Sequence, residues 1–252
     1  MYTIDLNSDL GEGFGAYTIG SDGDILKHVT SANIACGFHA GDPVVMNKTV
    51  ALAAGNGVAM GAHPGLPDLV GFGRRTMAVT PEEAYAMVVY QVGALAAFAK
   101  TQGRSLQHVK PHGALYNMAV KDAALAAAVA RAVHDIDSNL ILFGLAGSQL
   151  IVQGKKMGLQ TASEVFADRT YQPDGSLTPR SRADAMVTDE NIAISRVLRM
   201  ITEGVVRAQN GEDIPVRADT VCVHGDGAKA LAFACKIHSV LSEQGVTVTS
   251  FR

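Results

Sequence analysis

Short apolar segments alternate with helical segments along the 252 residues of the chain. Seven of them have the length and composition of buried strands, at 3–6, 31–36, 58–62, 107–110, 140–145, 160–165 and 220–224. Strands that alternate with helices are parallel and are joined by right-handed crossovers. Seven strands are many for a small open sheet. The pattern therefore predicts an α/β fold, a distorted (β/α) barrel of about seven parallel strands in a single domain over 1–252. A doubly wound open sheet is the alternative.

Capping signals delimit several of the helices. Asp42-Pro43 opens one helix, with an N-cap followed by proline at the first helical position. Thr80-Pro-Glu-Glu83 is a capping box for a long helix to about residue 101. Further helices are predicted at 121–135 and 189–209, and the Pro- and Gly-containing stretch 168–184 is predicted to be a surface loop.

Four of the eight histidines lie in short segments bordered by Gly or Pro, next to the ends of the predicted strands: His39, His63, His112 and His224. Parallel α/β folds collect the loops at the carboxyl ends of their strands into one crevice, where active sites are built. These side chains are therefore expected in a common pocket. The pattern is typical of an enzyme.

Composition excludes several other functions. Charged residues make up 18% of the chain and the formal net charge is −3, so there is no basic surface for nucleic acid. No apolar run reaches the length of a membrane span, and the N-terminus lacks the basic region of a signal peptide. Three cysteines, an odd and small number, favour reduced thiols and a cytoplasmic protein. Neither GxGxxG nor GxxxxGK[ST] occurs, so no nucleotide site is indicated.

Carboxylates and imidazoles supply the candidate catalytic groups in the first three segments. Asp9 and Glu12 flank Gly11, where either could act as a general base or a metal ligand. His39 and Asp42 are three residues apart across a Gly-containing turn, although Asp42 also carries the helix-cap signal. His63 precedes a proline that restricts its backbone, which suits a metal ligand or an acid/base group.

The later segments add cations and further acids. Lys110 and His112 share a rigid strand end, and the ammonium could bind an anion or donate a proton. The remaining candidates are expected to bind substrate: Asn7, Asp42, Arg74, Tyr116, Glu164, Asp168, His224 and Asp226. Three histidines with one or two aspartates could hold a divalent metal, but no HExxH-type spacing occurs, so the metal stays open. His28, His108, His134, His238 and the three cysteines are interpreted as structural.

Several of these segments together resemble the LamB/YcsF family. They are Asn7-Ser-Asp-Leu-Gly-Glu-Gly13, Asn33-Ile-Ala-Cys-Gly-Phe-His-Ala-Gly-Asp42, Gly61-Ala-His-Pro64 with Gly71-Phe-Gly-Arg-Arg75, Lys110-Pro-His-Gly-Ala-Leu-Tyr116, Glu164-Val-Phe-Ala-Asp-Arg169 and Val223-His-Gly-Asp226. The resemblance implies a distorted barrel like those of glycoside hydrolases and deacetylases. It also implies opening of the 5-oxoproline lactam to L-glutamate with ATP hydrolysis, where 5-oxoprolinase subunits B and C supply the ATP-dependent activation.

The catalytic candidates for this chemistry lie on four strand ends: Asp9, Glu12, His39, His63, Lys110 and His112. Asp9 with His39 or His63 would activate water, and Lys110, His112 or Arg74 would hold the substrate carboxylate or phosphate. Two alternatives stay open. One is a self-sufficient metal-dependent amide or carbohydrate hydrolase or deacetylase, and the other is a non-catalytic subunit that binds a small ligand.

Overall fold

The main sheet of the computed structural model, which describes residues 2–223 and 230–252, closes into a barrel. The strands are β1 (Tyr2–Leu10), β2 (Ser31–Ala35), β3 (Ala59–His63), β4 (His108–Val109), β5 (Ile141–Leu145), β6 (Thr161–Phe166), β7 (Val205–Arg207), β8 (Asp213–Pro215), β9 (Thr220–Cys222) and β10 (Val246–Val248). The first six and β9 pair in that order, all parallel, and β9 pairs back with β1. The predicted seven-stranded barrel is confirmed, and the open sheet is wrong.

Helices connect most of the barrel strands. They are α1 (Asp22–Ile25), α2 (Pro43–Asn56), α3 (Pro81–Thr101), α4 (Gly113–Lys121), α5 (Ala123–Ile136), α6 (Gln149–Lys156), α7 (Glu190–Thr202) and α8 (Ala230–Glu243). The capping predictions are confirmed: Asp42 accepts the backbone N–H of Val44 and Val45, and Thr80 with Glu83 forms the capping box of α3. Apolar side chains of the strands and helices form the main core.

The inside of the barrel is polar. Asp5, Asn7 and Asp9 alternate along β1, and each hydrogen-bonds to a residue on a neighbouring strand or at its start, namely Thr220, Ser31 or Asn33. The sequence predicted that the first strand ends at residue 6, whereas β1 continues to Leu10. A run of polar residues is typical of a loop. The sequence does not show that hydrogen-bond partners inside the barrel will satisfy these polar side chains.

His108 is structural, as predicted. Its ring is fully buried inside the barrel, stacks on Phe143 at 4.2 Å, and places Nε2 2.7 Å from Oδ1 of Asn33. Gly61 leaves the space for this ring, since a Cβ there would overlap it. Burial, with a smaller effect of the Lys110 charge, lowers the pKa of His108 to about 3, so the imidazole is neutral.

The sequence was wrong about the end of the helix predicted at 189–209. α7 ends at Thr202, and Gly204, with φ +67°, turns the chain into the antiparallel hairpin β7–β8. The β-branched pair Val205-Val206 favours a strand, and Asn210-Gly211 lies in the connecting turn. These local signals outweigh the helical pattern that leads into them.

A second difference concerns the segment after β4. The sequence predicted no helix between residues 110 and 121, but α4 starts directly after His112. No side chain caps its N-terminus, which removes the signal by which helix starts are recognised. The next helix does have such a cap, Asp122, which accepts the N–H groups of Ala124 and Leu125. α4 brings Tyr116 back over the mouth of the barrel.

Candidate active site

A cavity of about 1000 Å³ opens at the carboxyl ends of the barrel strands. Its lining begins with Asp9 of β1 and His63 of β3, continues with the segment after β4, and includes Phe166 of β6. The stretch 172–182, predicted as a surface loop, forms one wall. The cavity therefore lies where parallel barrels place their active sites.

Lys110 links the carboxylates at the floor of the cavity. Its Nζ lies 2.9 Å from Oδ1 of Asp9 and 2.8 Å from Oε1 of Glu164. Tyr116 donates its hydroxyl to the other oxygen of Glu164 at 2.7 Å. Burial alone would lower the pKa of Lys110, but Asp9, Cys222 and Glu164 outweigh this effect and hold it well above the usual range. The ammonium stays charged and orients both carboxylates.

Two imidazoles face each other with their lone pairs. Nδ1 of His63 lies 2.7 Å from the backbone oxygen of Lys110, and Nε2 of His112 lies 2.8 Å from the backbone oxygen of Phe72. A carbonyl oxygen only accepts hydrogen bonds, so these two nitrogens carry the protons. The remaining nitrogens, Nε2 of His63 and Nδ1 of His112, lie 2.9 Å apart. Burial is the main cause that lowers the pKa of His112 to about 3, so the ring of His112 is neutral near neutral pH.

His39 completes this cluster from behind. Its ring is fully buried and stacks on the ring of His112 with centroids 3.7 Å apart. Among the described residues, neither ring nitrogen has a hydrogen-bond partner. Burial, followed by His112 and His63, lowers the pKa of His39 well below its ordinary value. A buried neutral imidazole without a partner is costly unless something binds it.

The cluster has the composition of a metal site. One ligand atom from each of Glu12, His39, His63 and His112 lies within 4.8 Å of all the others, and all four residues are buried. Imidazole nitrogens and a carboxylate suit Zn²⁺ and related transition metals. The unpartnered nitrogens of His39 and the two facing lone pairs fit a bound cation. This buried Glu/His cluster could therefore hold a metal ion.

Two glycines make the close packing of the histidines possible. A Cβ at Gly65 would lie 2.5 Å from Nδ1 of His39. A Cβ at Gly73, whose φ is +63°, would lie 2.6 Å from Cβ of His39. Both positions exclude larger side chains, so the loop after β3 is shaped to hold His39 in place.

The structure brings together most of the predicted site residues. Those that line the cavity are Asp9, Glu12, His63, Arg74, Lys110, His112 and Tyr116. Asn7, His39 and Glu164 are buried close to these groups and contact them.

Two of the predicted residues that the structure describes are not part of the cavity lining. Asp42 is absent from the cavity lining, since its carboxylate caps α2 and accepts the N–H of Gly15 at 2.6 Å. Asp168 does not line the cavity either, whereas its neighbour Arg169 does. Substrate binding by Asp42 and Asp168 stays a prediction, and neither residue lines the cavity. His224 and Asp226 lie outside the described residues.

Sequence reasoning missed two contributors. Phe72, with φ +54°, presents the carbonyl that sets the tautomer of His112. Arg180 comes from a stretch with no regular structure, yet it lines the cavity. A main-chain contact such as that of Phe72 leaves no signal in the residue types. Only the basic residues of the loop 168–184 could have indicated Arg180.

Comparison with known proteins identifies the family. The model of the LamB/YcsF family matches residues 4–252. The chain belongs to the LamB/YcsF family. Similar LamB/YcsF chains include the 5-oxoprolinase A-subunit of Bacillus subtilis (strain 168), 64% identical over 99% of this chain and 97% of that protein. The 5-oxoprolinase A-subunit of Geobacillus kaustophilus (strain HTA426) is 61% identical over 100% of this chain and 98% of that protein.

A solved structure supports the same relationship. The lactam utilization protein of Thermus thermophilus superposes with a TM-score of 0.93, at 48% identity, over 99% of this chain and 100% of that chain. The barrel described above is therefore the LamB/YcsF fold.

The helices were also compared with the requirements of a bilayer. Within 2–223 and 230–252, none is both long enough and apolar enough to cross a membrane.

Proposed function

We propose that this chain is the lactam-opening subunit of an ATP-dependent 5-oxoprolinase, which hydrolyses 5-oxo-L-proline to L-glutamate. The observation that carries the proposal is the 64% identity, over nearly the whole chain, with a protein named as the A-subunit of 5-oxoprolinase. The polar cavity at the barrel mouth supports it, because carboxylates, imidazoles and cations suited to amide hydrolysis meet there.

Asp9 is the general base in this proposal. Its Oδ1 accepts hydrogen bonds from Asn33 and Lys110, which orient the carboxylate, and its Oδ2 lies 3.3 Å from Nε2 of His63. Asp9 takes a proton from water as the oxygen attacks the lactam carbonyl carbon. The ring C–N bond then breaks, and the protonated carboxyl returns the proton to the ring nitrogen.

Glu12, His39, His63 and His112 would hold a divalent cation beside this base. Such an ion would act as a Lewis acid on the carbonyl oxygen and lower the pKa of a bound water. Of the four, Glu12, His63 and His112 line the cavity, and His39 packs behind them against His112. Lys110 donates a hydrogen bond to Oδ1 of Asp9 and orients the carboxylate, so it acts in catalysis through the base.

ATP enters through partner proteins. A lactam is a stable amide, and transfer of the terminal phosphoryl group of ATP to the lactam oxygen makes its carbonyl carbon more reactive. Breakage of the ring C–N bond then leaves an acyl phosphate, and attack by a second water releases glutamate and inorganic phosphate. The chain has no nucleotide-binding motif of the two common kinds, which agrees with activation by subunits B and C. Three free cysteines agree with a cytoplasmic location.

A second candidate is a metal-dependent amide hydrolase that needs neither partners nor ATP. The Glu/His cluster favours it, because a bound metal can supply the electrophile without phosphorylation. The two candidates differ in what they require for turnover.

The test measures glutamate release from 5-oxoproline by this chain alone and with subunits B and C, each with and without ATP. Turnover that needs both the partners and ATP supports the first proposal. Turnover by the metal-loaded chain alone supports the second. No glutamate from the complete mixture would contradict both, and Asp9→Asn in that mixture tests whether the cavity described above is the site.

A further inference from the structure

A chain of hydrogen bonds connects Asp9 with the interior of the barrel. Nδ2 of Asn33 donates to Oδ1 of Asp9 at 2.8 Å, and it also donates to Oδ1 of Asn7 at 2.7 Å. On the other side of the same carboxamide, Oδ1 of Asn33 lies 2.7 Å from Nε2 of His108. One carboxamide therefore links Asp9 to an imidazole that does not line the cavity.

The neighbours of Asn33 allow its carboxamide only one orientation. The ammonium of Lys110 only donates hydrogen bonds, so the Asn7 atom that lies 3.2 Å from it is the oxygen. The Asn33 atom that faces this oxygen and the carboxylate of Asp9 must then be the nitrogen. The oxygen of Asn33 faces His108, and it follows that Nε2 of His108 carries a hydrogen and donates it.

The strand register brings His108 to Asn33. Asn33 on β2 pairs with Gly61 on β3, and Gly61 pairs with His108 on β4. A Cβ at Gly61 would overlap the His108 ring, so the missing side chain lets the ring reach across β3. The ring is fully buried and its face stacks on Phe143, which fixes the direction of its N–H group.

The carboxamide of Asn33 depends on this N–H group. Asn33 is fully buried, and a buried acceptor that loses its donor is costly. Rotation of the carboxamide about its broad terminal torsion would relieve that cost. The rotation would also remove the hydrogen bond to Oδ1 of Asp9 and shift its Oδ2, which lies 3.3 Å from Nε2 of His63.

We propose that His108 is a positioning residue for Asp9 and acts through Asn33. The proposal rests on the proposed function, in which Asp9 is the general base. His108 does not line the cavity, so it influences the reaction only through the carboxamide that holds the base. A small displacement of the base slows proton transfer and leaves substrate binding almost unchanged.

Two substitutions of similar shape test whether the donor matters. Glutamine places an amide nitrogen near the position of Nε2, whereas methionine fills a similar space without a donor. In the complex with partners and ATP, His108→Met should lower kcat about tenfold and change KM less than about twofold. His108→Gln should keep kcat within about threefold of the wild type, because it restores the donor. Equal kcat in the two variants would overturn the proposal.

A variant of the helical layer separates positioning from packing. Leu95→Ala, fully buried in α3, should lower the Tm and leave kcat of the folded complex unchanged. If His108→Met also lowers only the Tm, His108 contributes packing alone and the proposal is wrong.

Substitution of Asn33 tests the path. Asn33→Ala removes the carboxamide, so adding His108→Met to it should lower kcat by no more than about twofold further. Losses that multiply in the double variant would show that His108 acts independently of Asn33, which contradicts the proposal.

Crystal structures of the full chain test the geometry without turnover. The Asn33 carboxamide and the Asp9 carboxylate should keep their orientation in His108→Gln and rotate in His108→Met. Unchanged orientations in His108→Met would overturn the proposal. If His108→Met does not fold, ¹⁵N NMR of the wild-type histidines decides: a hydrogen on Nε2 of His108 supports the proposal, and its absence overturns it.

These measurements also distinguish the proposal from the proposed function. If the wild-type complex releases glutamate and the two His108 variants match in kcat, the positioning role is wrong and the proposed function stands. If the wild-type complex releases no glutamate, the proposed function fails, and the crystal structures still decide whether His108 orients Asp9.

Discussion

Nε2 of His63 and Nδ1 of His112 lie 2.9 Å apart, and each presents a lone pair to the other. Backbone carbonyls at the far side of each ring determine these tautomers. Two facing lone pairs repel each other unless a cation lies between or beside them. The barrel therefore brings together, from two different strands, a pair of nitrogens whose arrangement suits cation binding.

Removal of His39 is expected to weaken divalent metal binding. Titration of the metal-free chain with Zn²⁺ or Mn²⁺ should show one bound ion, and His39→Ala should lower the affinity at least tenfold, in line with the loss of groups that support a metal site. His134→Ala, at a half-buried position outside the cluster, is the control. Equal affinities in the three proteins would show that the cluster does not bind the metal.

Substitution of Lys110 should destabilise the fold strongly. Lys110→Met leaves two carboxylates, those of Asp9 and Glu164, without their shared cation, and breaking a buried pair costs about 3–5 kcal/mol. Lys121→Met removes an exposed pair, for which a change of about 0–1 kcal/mol is expected. Urea unfolding measures both free energies, and similar losses in the two variants would contradict the role given to Lys110.

Substitutions of Asp9 and Asp42 should affect different properties, catalysis for Asp9 and stability for Asp42. Asp9→Asn keeps the hydrogen-bonded oxygen but loses the base, so kcat in the assembled enzyme should fall about 10²–10⁴-fold. Asp42→Ala removes the cap of α2 and should cost about 1 kcal/mol of stability, with kcat unchanged. A large loss of kcat in Asp42→Ala would instead support the prediction that Asp42 binds substrate.

Gly73 is expected to be essential for the histidine cluster. Gly73→Ala combines backbone strain at φ +63° with a Cβ 2.6 Å from Cβ of His39, so metal binding should be lost. Gly175→Ala introduces similar strain at φ +80° where no atom lies within 4 Å. It should cost about 1–2 kcal/mol and leave metal binding intact. Equal metal affinity in both variants would contradict the steric argument.

Acid should destabilise the protein partly through His108. Its pKa is lowered from 6.5 to about 3 in the folded state, so below pH 6.5 the unfolded state binds a proton that the folded state excludes. The stability contribution is complete above pH 6.5 and is lost as the pH falls towards 3, at about 1.4 kcal/mol per pH unit. Urea unfolding at several pH values should give a flatter profile for His108→Gln. Identical slopes would contradict this assignment.

Local signals explain why much of the fold could be predicted. The capping box at Thr80 and Glu83 and the cap at Asp42 depend on residues a few positions apart, so they appear directly in the sequence. The start of α4 has no side-chain cap. The hairpin β7–β8 directly follows a helical pattern, and Gly204 is the main residue that signals the end of that helix. Both were missed because their signals are weak or compete with a neighbouring pattern.

The sequence by itself determined the alternation of strands and helices, the strand ends at which polar residues collect, and the family motifs. These features depend on short-range periodicity and on residue types. Only the tertiary structure decided which side chains meet. The barrel closes through β1 and β9, and the strand register aligns Asn33, Gly61 and His108. This arrangement places Lys110 between Asp9 and Glu164. It also brings His63 next to His112. Such contacts join residues far apart in the chain, and they arise from strand pairing and from the burial of polar groups that must satisfy one another.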